Sequence, residues 1–463
     1  MTLAAFALTC LFGWLALPQR ITLGPLPKLC FSFAAGAFAI SLQMFVWDLL
    51  GIGWSRLSLL PPWALLGTFV LYRRRRHVAV FAWSTPKWHE MALAAGLLVP
   101  VGIWLPFERV MPLTSQSWDA WAIWLFKAKA FFLDGSIGPY LDRGAEFANH
   151  PGYPLLVPLY GAFVYVMRSG VADEAAKFLS PCFYAATLGV FYHFARRAGS
   201  PLAATAFTLM LAVTPVIGIV AFTLAGYADT TLSLYLLAAG GFLWAWHRDG
   251  QVADLAGASI AATAAAWTKN EGQFFLLGVV LLAGFPIIKS RGSSPAWGWL
   301  LGPPALVLVP WAIVRQSHGI EAAEFVPGLA FDPSLCWIAL RTLAAKAFSL
   351  DLFSLTFVVF AASIAAAVKL NLARAFWVLP GLVLWHLAGS LLAYATGRND
   401  IDWWLATSGD RILAQIAPLA LLCGAFVFSR WFALAEPASA TALNQAGKTT
   451  GAGSRQKKQK RRA

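Results

Sequence analysis

Apolar stretches about as long as a membrane is thick recur along the whole chain, and they decide its fold class before any single residue is read. A continuous apolar run of this length is a transmembrane helix, because a helix satisfies all its backbone polar groups internally. About thirteen such spans are expected, counting roughly 20 residues each and fewer where a span is thin. They lie near residues 2–17, 30–50, 57–72, 91–107, 175–194, 201–222, 231–246, 255–266, 274–288, 297–314, 350–368, 375–395 and 412–431. Hydrophobic residues fill 59% of the 463 positions and charged residues 12%, at a mean hydropathy of +0.66, which excludes an ordinary soluble domain. The expected fold is an all-α polytopic membrane protein.

Orientation follows from the basic residues, which are retained on the cytoplasmic side. Arg20 and Lys28, residues 73–76, Arg196 and Arg197, Arg248, Lys289 and Arg291, Lys369 and Arg374, and the basic tail all fall on one side of the thirteen-span count. That places the N-terminus outside and the C-terminus in the cytoplasm. The net charge of +14 arises largely in residues 73–76 and the tail, as a topology signal, and nucleic acid is not an expected partner. Residues 1–432 form the transmembrane domain, and residues 433–463 a basic tail expected to be disordered. Large extracytoplasmic loops are expected at about 108–174, 316–349 and 396–410. Residues 2–17 follow no positive n-region and read as a first span rather than a cleavable leader. Of 21 acidic residues, only Glu90, Asp249, Asp254 and Glu436 fall on the cytoplasmic side, so a polar site faces outward. The five cysteines lie mostly in apolar runs without metal-ligand or pairing spacing and read as core.

The longest polar-punctuated interval is 115–166. From Trp118 to Leu133 the pattern predicts an interfacial helix with Trp118, Trp121, Leu125 and Phe132 on one face and Lys127 and Lys129 elsewhere. Asp119 falls in its first turn, capped by Ser117 or Ser115, beside Trp118, Trp121, Trp124 and, by topology, Trp104. A carboxylate favoured by the helix dipole and a substrate-activating carboxylate are both open readings. Residues 150–154, His-Pro-Gly-Tyr-Pro, form a rigid turn feeding an apolar helix at 154–166 that is expected to lie at the interface or dip in without crossing. His150 and Tyr153 on this turn are candidate substrate contacts. Asp229 opens a span, as a cap or as cavity lining. Lys269 and Glu271 interrupt two apolar runs, as a neutralised hairpin turn or as an ammonium offered to a phosphate. Arg411 sits at the outer end of the last span, where its planar fork suits phosphate or snorkels to the interface. Arg398 stands near it in sequence.

In order and on one side, these pieces resemble the GT-C superfamily of integral membrane glycosyltransferases, nearest the group of protein O-mannosyltransferases and the lipid A aminoarabinose transferase. The match spans nearly the whole chain in topology and short pieces in motif. Asp119 is similar to the early aspartate of the family's first loop, and residues 150–156 to its His-Pro segment. Asp229 follows an outer turn, Thr268-Lys269 stands where the family has Thr-Lys-Gly-Pro, and Arg411 precedes Pro418. Ala120 stands where many relatives carry a second carboxylate, a role left here to Asp134, Asp142 or Glu108. The resemblance implies a polyprenyl-phosphate sugar as donor and a hydroxyl of a lipid, glycan or protein as acceptor. It also implies inverting single displacement on the extracytoplasmic face. Asp119 is then the base, Lys269, Arg411 and Arg398 hold the donor phosphate, and Trp118, Trp121, His150, Tyr153, Asp229 and Glu271 contact substrate. No cofactor is required, and a divalent cation bridging Asp119 and the phosphate stays open. The Ala-rich style of the chain suits a bacterial inner membrane. The competing classes are a transporter or lipid flippase and a non-catalytic scaffold. A transporter explains the many spans but usually needs ionisable groups near mid-membrane, whereas most carboxylates here sit at outer helix ends, with His386 the clearest interior exception; the large exterior loop permits a scaffold.

Overall fold

The structure is a computed structural model that describes residues 2–17, 25–74, 88, 91, 117–143, 149–289, 294–320, 331–397 and 399–435. Every regular element among them is a helix. The longer ones are α1 (Thr2–Ala16), α2 (Pro25–Leu49), α3 (Arg56–Arg74), α4 (Leu125–Asp134), α5 (Leu156–Arg168), α6 (Leu179–Ala198), α7 (Pro201–Ala212) and α8 (Asp229–Asp249). They continue with α9 (Val252–Thr268), α10 (Asn270–Lys289), α11 (Ser294–Ser317), α12 (Pro333–Ala347), α13 (Thr356–Lys369), α14 (Val378–Thr396) and α15 (Ile401–Ala435).

Among the described residues six segments are long and apolar enough to cross a membrane: Leu26–Leu49, Asp173–Ala198, Asn270–Lys289, Pro295–Ser317, Arg374–Thr396 and Ile401–Phe432. A seventh is counted if Pro201–Ala212 and Pro215–Thr223, bent by 63° at the break, are one span. The described residues are thus all-helical, with six candidate membrane spans. Of the thirteen predicted spans, 91–107 lies outside the described residues but for Met91, and the other twelve overlap helical segments. Several of those are too short to reach across on their own. At 1.5 Å per residue, α1 and α13 extend only about 20 Å.

α8 is the axis of the bundle. Nearly all its residues from Asp229 to Ala245 are buried, and it packs against α6, α9 and α15, with α10 and α14 beside it. A helix that is apolar on every side can only sit inside others. α1 crosses α2 at paired glycines, where a Cβ at Gly13 would lie 1.7 Å from the Ser32 carbonyl oxygen and one at Gly36 1.9 Å from that of Thr9. Small residues at such crossings let two backbones touch.

One sequence expectation is corrected, and three other stretches gain detail. The interfacial helix at 118–133 begins with a π turn, Ala120–Trp124. The extra residue per turn rotates the register, so Trp118 and Trp121 stay half exposed while Leu125 and Lys127 turn inward and are buried. In the segment 154–166, α5 starts at Leu156 and is buried from there to Met167, packed on α1, α2 and α4; at 13 residues it is short for a span. The loop 316–349 contains a full helix, α12, started by Pro333 with the Asp332 carboxylate accepting from Ser334 and Leu335 N–H groups. The loop 396–410 is mostly the first turns of α15, which begins at Ile401. Its tryptophans and charges therefore sit on a helix face rather than in solvent-borne chain.

Candidate functional site

Five charged side chains from four places in the sequence meet at the N-terminal end of α8. Arg411, on α15, donates from Nη2 to Asp119 Oδ2 at 2.8 Å and from Nε to Asp229 Oδ2 at 3.1 Å. Lys269 Nζ lies 3.1 Å from Asp229 Oδ1 and 2.7 Å from Glu271 Oε1. The result is a continuous row of alternating sign: Asp119, Arg411, Asp229, Lys269, Glu271. Gln415, one turn beyond Arg411, donates from Nε2 to Asp229 Oδ1 at 2.6 Å. A buried carboxylate needs this degree of pairing, since its desolvation is otherwise costly.

Local structure holds each member in place. Asp229 is the first residue of α8 but caps nothing; both its oxygens are taken by Arg411, Lys269 and Gln415. Lys269 lies in extended conformation between α9 and α10. That turn is closed by Gly272, whose N–H donates to the Lys269 carbonyl and where a Cβ would fall 2.0 Å from the Ala265 carbonyl oxygen. Only glycine allows so close an approach, and the brevity of the turn is what aims Lys269 at α8.

Asp119 is fixed from its backbone: its N–H donates to the Tyr227 hydroxyl at 3.2 Å. Ser117 does not cap the turn but donates to the Thr223 carbonyl at 3.2 Å. The Arg411 guanidinium lies over the Tyr227 ring at 4.7 Å from its centroid. Burial, and next the Asp119 carboxylate, push the Tyr227 phenol up to about 12, so it stays protonated.

The wall opposite is aromatic. Trp124 stacks on Tyr153 at 5.5 Å between centroids, and Tyr153 on His150 at 4.5 Å. His150 adopts φ 51°, and the buried Lys127 donates its ammonium to the His150 carbonyl. Lys127 thus positions the His-Pro-Gly-Tyr-Pro turn, and its Nζ lies 5.3 Å from the Tyr153 centroid.

Between row and wall lies a cavity of about 790 Å³. Of the sequence-derived candidates, Asp119, Trp118, His150, Tyr153, Lys269, Glu271 and Arg411 line it. Asp229 stands behind, 1% exposed, as the counter-ion of both cations. Trp121 is not among the lining residues but meets Trp118 edge to face at 6.1 Å. Arg398 lies outside the described residues, as do Trp104 and Glu108. The other proposed second carboxylates are elsewhere: Asp134 pairs with Arg143 at 2.9 Å and Asp142 with His318 at 2.6 Å. Tyr227, Gln415 and the lining residues Asn270, Ser390 and Tyr394 were not read as site residues from sequence. The one available signal was Gln415, four residues after Arg411 and so on its face of α15.

Among the described residues no three His, Cys, Asp or Glu side chains converge on one point, and each carboxylate of the row already faces a lysine or arginine. Comparison with protein-family models, curated proteins and solved structures returned no match.

Proposed function

We propose that this chain is a GT-C-like membrane glycosyltransferase that moves a sugar from a polyprenyl phosphate to a hydroxyl acceptor. One observation carries the reading: a single cavity presents a partly exposed carboxylate, Asp119, next to two cations, Lys269 and Arg411, facing an aromatic wall. A transfer from a phosphate leaving group needs a base, cations and a surface for sugar C–H faces.

The cations have capacity to spare. Two of the three Lys269 ammonium protons are committed to Asp229 and Glu271, which leaves one for a ligand. Among the described residues Arg411 Nη1 reaches only the Thr407 carbonyl, at 3.5 Å. The donor phosphate takes these two positions, and as it draws on the guanidinium, Oδ2 of Asp119 is released. Asp119 then accepts the proton of the acceptor hydroxyl, the acceptor oxygen bonds to the anomeric carbon, and the bond from that carbon to the phosphate oxygen breaks. Its electron pair leaves on the lipid phosphate, where Lys269 and Arg411 meet the added charge, and the anomeric centre inverts. Asp229 and Gln415 position those cations without touching substrate. With the basic clusters in the cytoplasm of a bacterial inner membrane and thirteen spans, the cavity opens on the extracytoplasmic side, where lipid-linked rather than nucleotide sugars are at hand.

Incubation of the purified protein with polyprenyl-phosphate sugars tests this: free lipid phosphate and a glycosylated acceptor should form, and Asp119→Asn should stop both. A transporter or lipid flippase is the second reading, favoured by the 63° break after Ala212 and by charges inside the bundle. It predicts movement of lipid phosphate across proteoliposomes with the sugar bond intact.

A further inference from the structure

The cavity has a second polar wall, on α14, that the mechanism above does not use. His386, Ser390 and Tyr394 all line it and, spaced by four residues, lie along one face of the helix. Counting protons on this wall shows what it can still bind. Ser390 Oγ donates to the His386 carbonyl at 3.0 Å, so its only hydrogen is spent. Ser408 Oγ donates to the Trp404 carbonyl at 2.6 Å, so the 2.7 Å contact between Ser408 and Tyr394 takes the phenol hydrogen. Both hydroxyls therefore offer only lone pairs to the cavity.

His386 follows from Gln415. The 2.6 Å bond to Asp229 fixes the Gln415 amide nitrogen on the carboxylate, and Oε1 must then face away from it. It faces His386; Gln415 Oε1 and His386 Nε2 are both buried and do not close a hydrogen bond of ordinary geometry with any described residue. An acceptor beside Nε2 favours the tautomer with its hydrogen there, since which ring nitrogen is protonated is set by what the other faces. Nδ1, with a lone pair, is left for the cavity.

We infer that the α14 wall is a subsite for an uncharged, hydroxyl-bearing glycosyl group, with His386 Nδ1, Ser390 Oγ and Tyr394 Oη accepting hydrogen bonds from sugar hydroxyls. Three acceptors without a donor leave the carboxylate of a uronic acid, or a second phosphate, unpaired against them, since those groups bring lone pairs and no hydrogens. They equally lack the counter-charge a buried ammonium needs, because Glu271, the carboxylate that lines the cavity nearby, is 2.7 Å from Lys269 and committed to it. The glycosyl reading of the cavity underlies this subsite. The inference adds that the sugar is neutral and that His386 is a specificity-determining contact.

Two measurements on the full chain in detergent test it. Saturation-transfer NMR with methyl glycosides should show binding of a neutral hexoside and little of the amino or uronic analogues. Donor kinetics with polyprenyl-phosphate hexose should show KM rising about five- to tenfold in His386→Leu, the worth of one hydrogen bond, with kcat within about twofold. Affinity for polyprenyl phosphate without sugar should not change. His386→Asn, whose Oδ1 stands near the Nδ1 position, should restore the hexoside and the KM, whereas His386→Gln, which imitates Nε2, should not. If His386→Leu fails to fold, the Asn and Gln pair decides. Wild-type KM in His386→Leu or His386→Gln, or preferential binding of amino or uronic glycosides, overturns the subsite. Hexoside binding that depends on His386 while no polyprenyl-phosphate sugar is consumed keeps the subsite and removes the transferase reading.

Discussion

The two ends of α8 carry the same residue types in opposite circumstances. At its start Asp229 is 1% exposed and holds Arg411, Lys269 and Gln415 beside a cavity. At its end Asp249 has a side chain 30% exposed and meets Arg197 at 2.8 Å and Arg248 at 2.7 Å, with Asp254 also on Arg197 at 2.8 Å. Both are aspartate–arginine clusters of comparable geometry. The difference is solvent. Water can replace any partner at the Asp249 end, so pairing there is optional. At the Asp229 end a lost partner is replaced far less readily, and a fold that keeps Asp229, Lys269 and Arg411 at 1, 8 and 13% side-chain exposure is preserving something other than stability, since apolar packing of the same volume holds a bundle at least as well. The Asp249 cluster lies on the side assigned to the cytoplasm, and its charges match the retention signal that needs no site.

The widest gap between the two ends should appear on truncation. Asp229→Ala leaves two buried cations short of a counter-ion and should cost about 3–5 kcal/mol, and all transfer with it. Thermal unfolding in detergent measures the first, release of lipid phosphate the second. A loss no larger than that of the matching change at Asp249 would break the contrast at its root.

Asp119→Asn separates chemistry from scaffolding at the same end. Asp119 has a side chain 20% exposed and takes Arg411 through one oxygen, which the Asn amide oxygen can still offer. The fold should survive, with transfer down about 10²–10⁴-fold, the usual contribution of a positioned base. A stable variant that keeps wild-type turnover moves the base elsewhere without touching the family reading. Arg411→Lys comes next. The guanidinium serves Asp119 and Asp229 from different nitrogens and lies on the Tyr227 ring, and one ammonium cannot hold that geometry. Transfer should fall by about 10²-fold, on the scale of removing one fixed donor from a developing anion. Donor KM should rise in parallel, read from initial rates.

How much of this was legible in the chain depended on whether a residue's partner lay nearby in sequence or across the bundle. Helices were legible because the apolar runs are long, and the row was foreshadowed because charges that interrupt such runs are few. Asp119, Lys269 and Arg411 stand out for that reason alone. That Arg411 would neutralise the proposed base was not legible, because it needs α15 to extend back to Ile401, and the polar residues at 400–410 look like a loop when read by composition. Lys127 was misplaced by one π turn, which no periodicity count anticipates. Gln415 was passed over because an amide in an apolar run reads as an isolated polar residue until its carboxylate, 186 positions earlier, is placed beside it.

The smallest effect is expected at the far end of α8, and it is the sharper test for being small. Asp249→Asn removes one partner from Arg197, which keeps Asp254 through bonds of 3.0 and 2.8 Å, so the loss should stay below about 1 kcal/mol and shrink in high salt. Hydrogen bonds from Arg248, and then those from Arg197, hold the Asp249 carboxyl at about 2 against an ordinary 3.8. A carboxyl lowered by folding lends stability only while ionised. The contribution is therefore complete above pH 3.8 and disappears as the pH falls towards about 2. Melting curves of wild type and Asp249→Asn should run a small constant distance apart near neutrality and converge in acid. Transfer at neutral pH should be unaffected, because the Asp249 cluster and the cavity sit at opposite ends of a helix about 30 Å long. A loss of transfer in Asp249→Asn with melting unchanged would mean that the two ends are coupled through α8, and the solvated cluster would have to be counted as part of the working site.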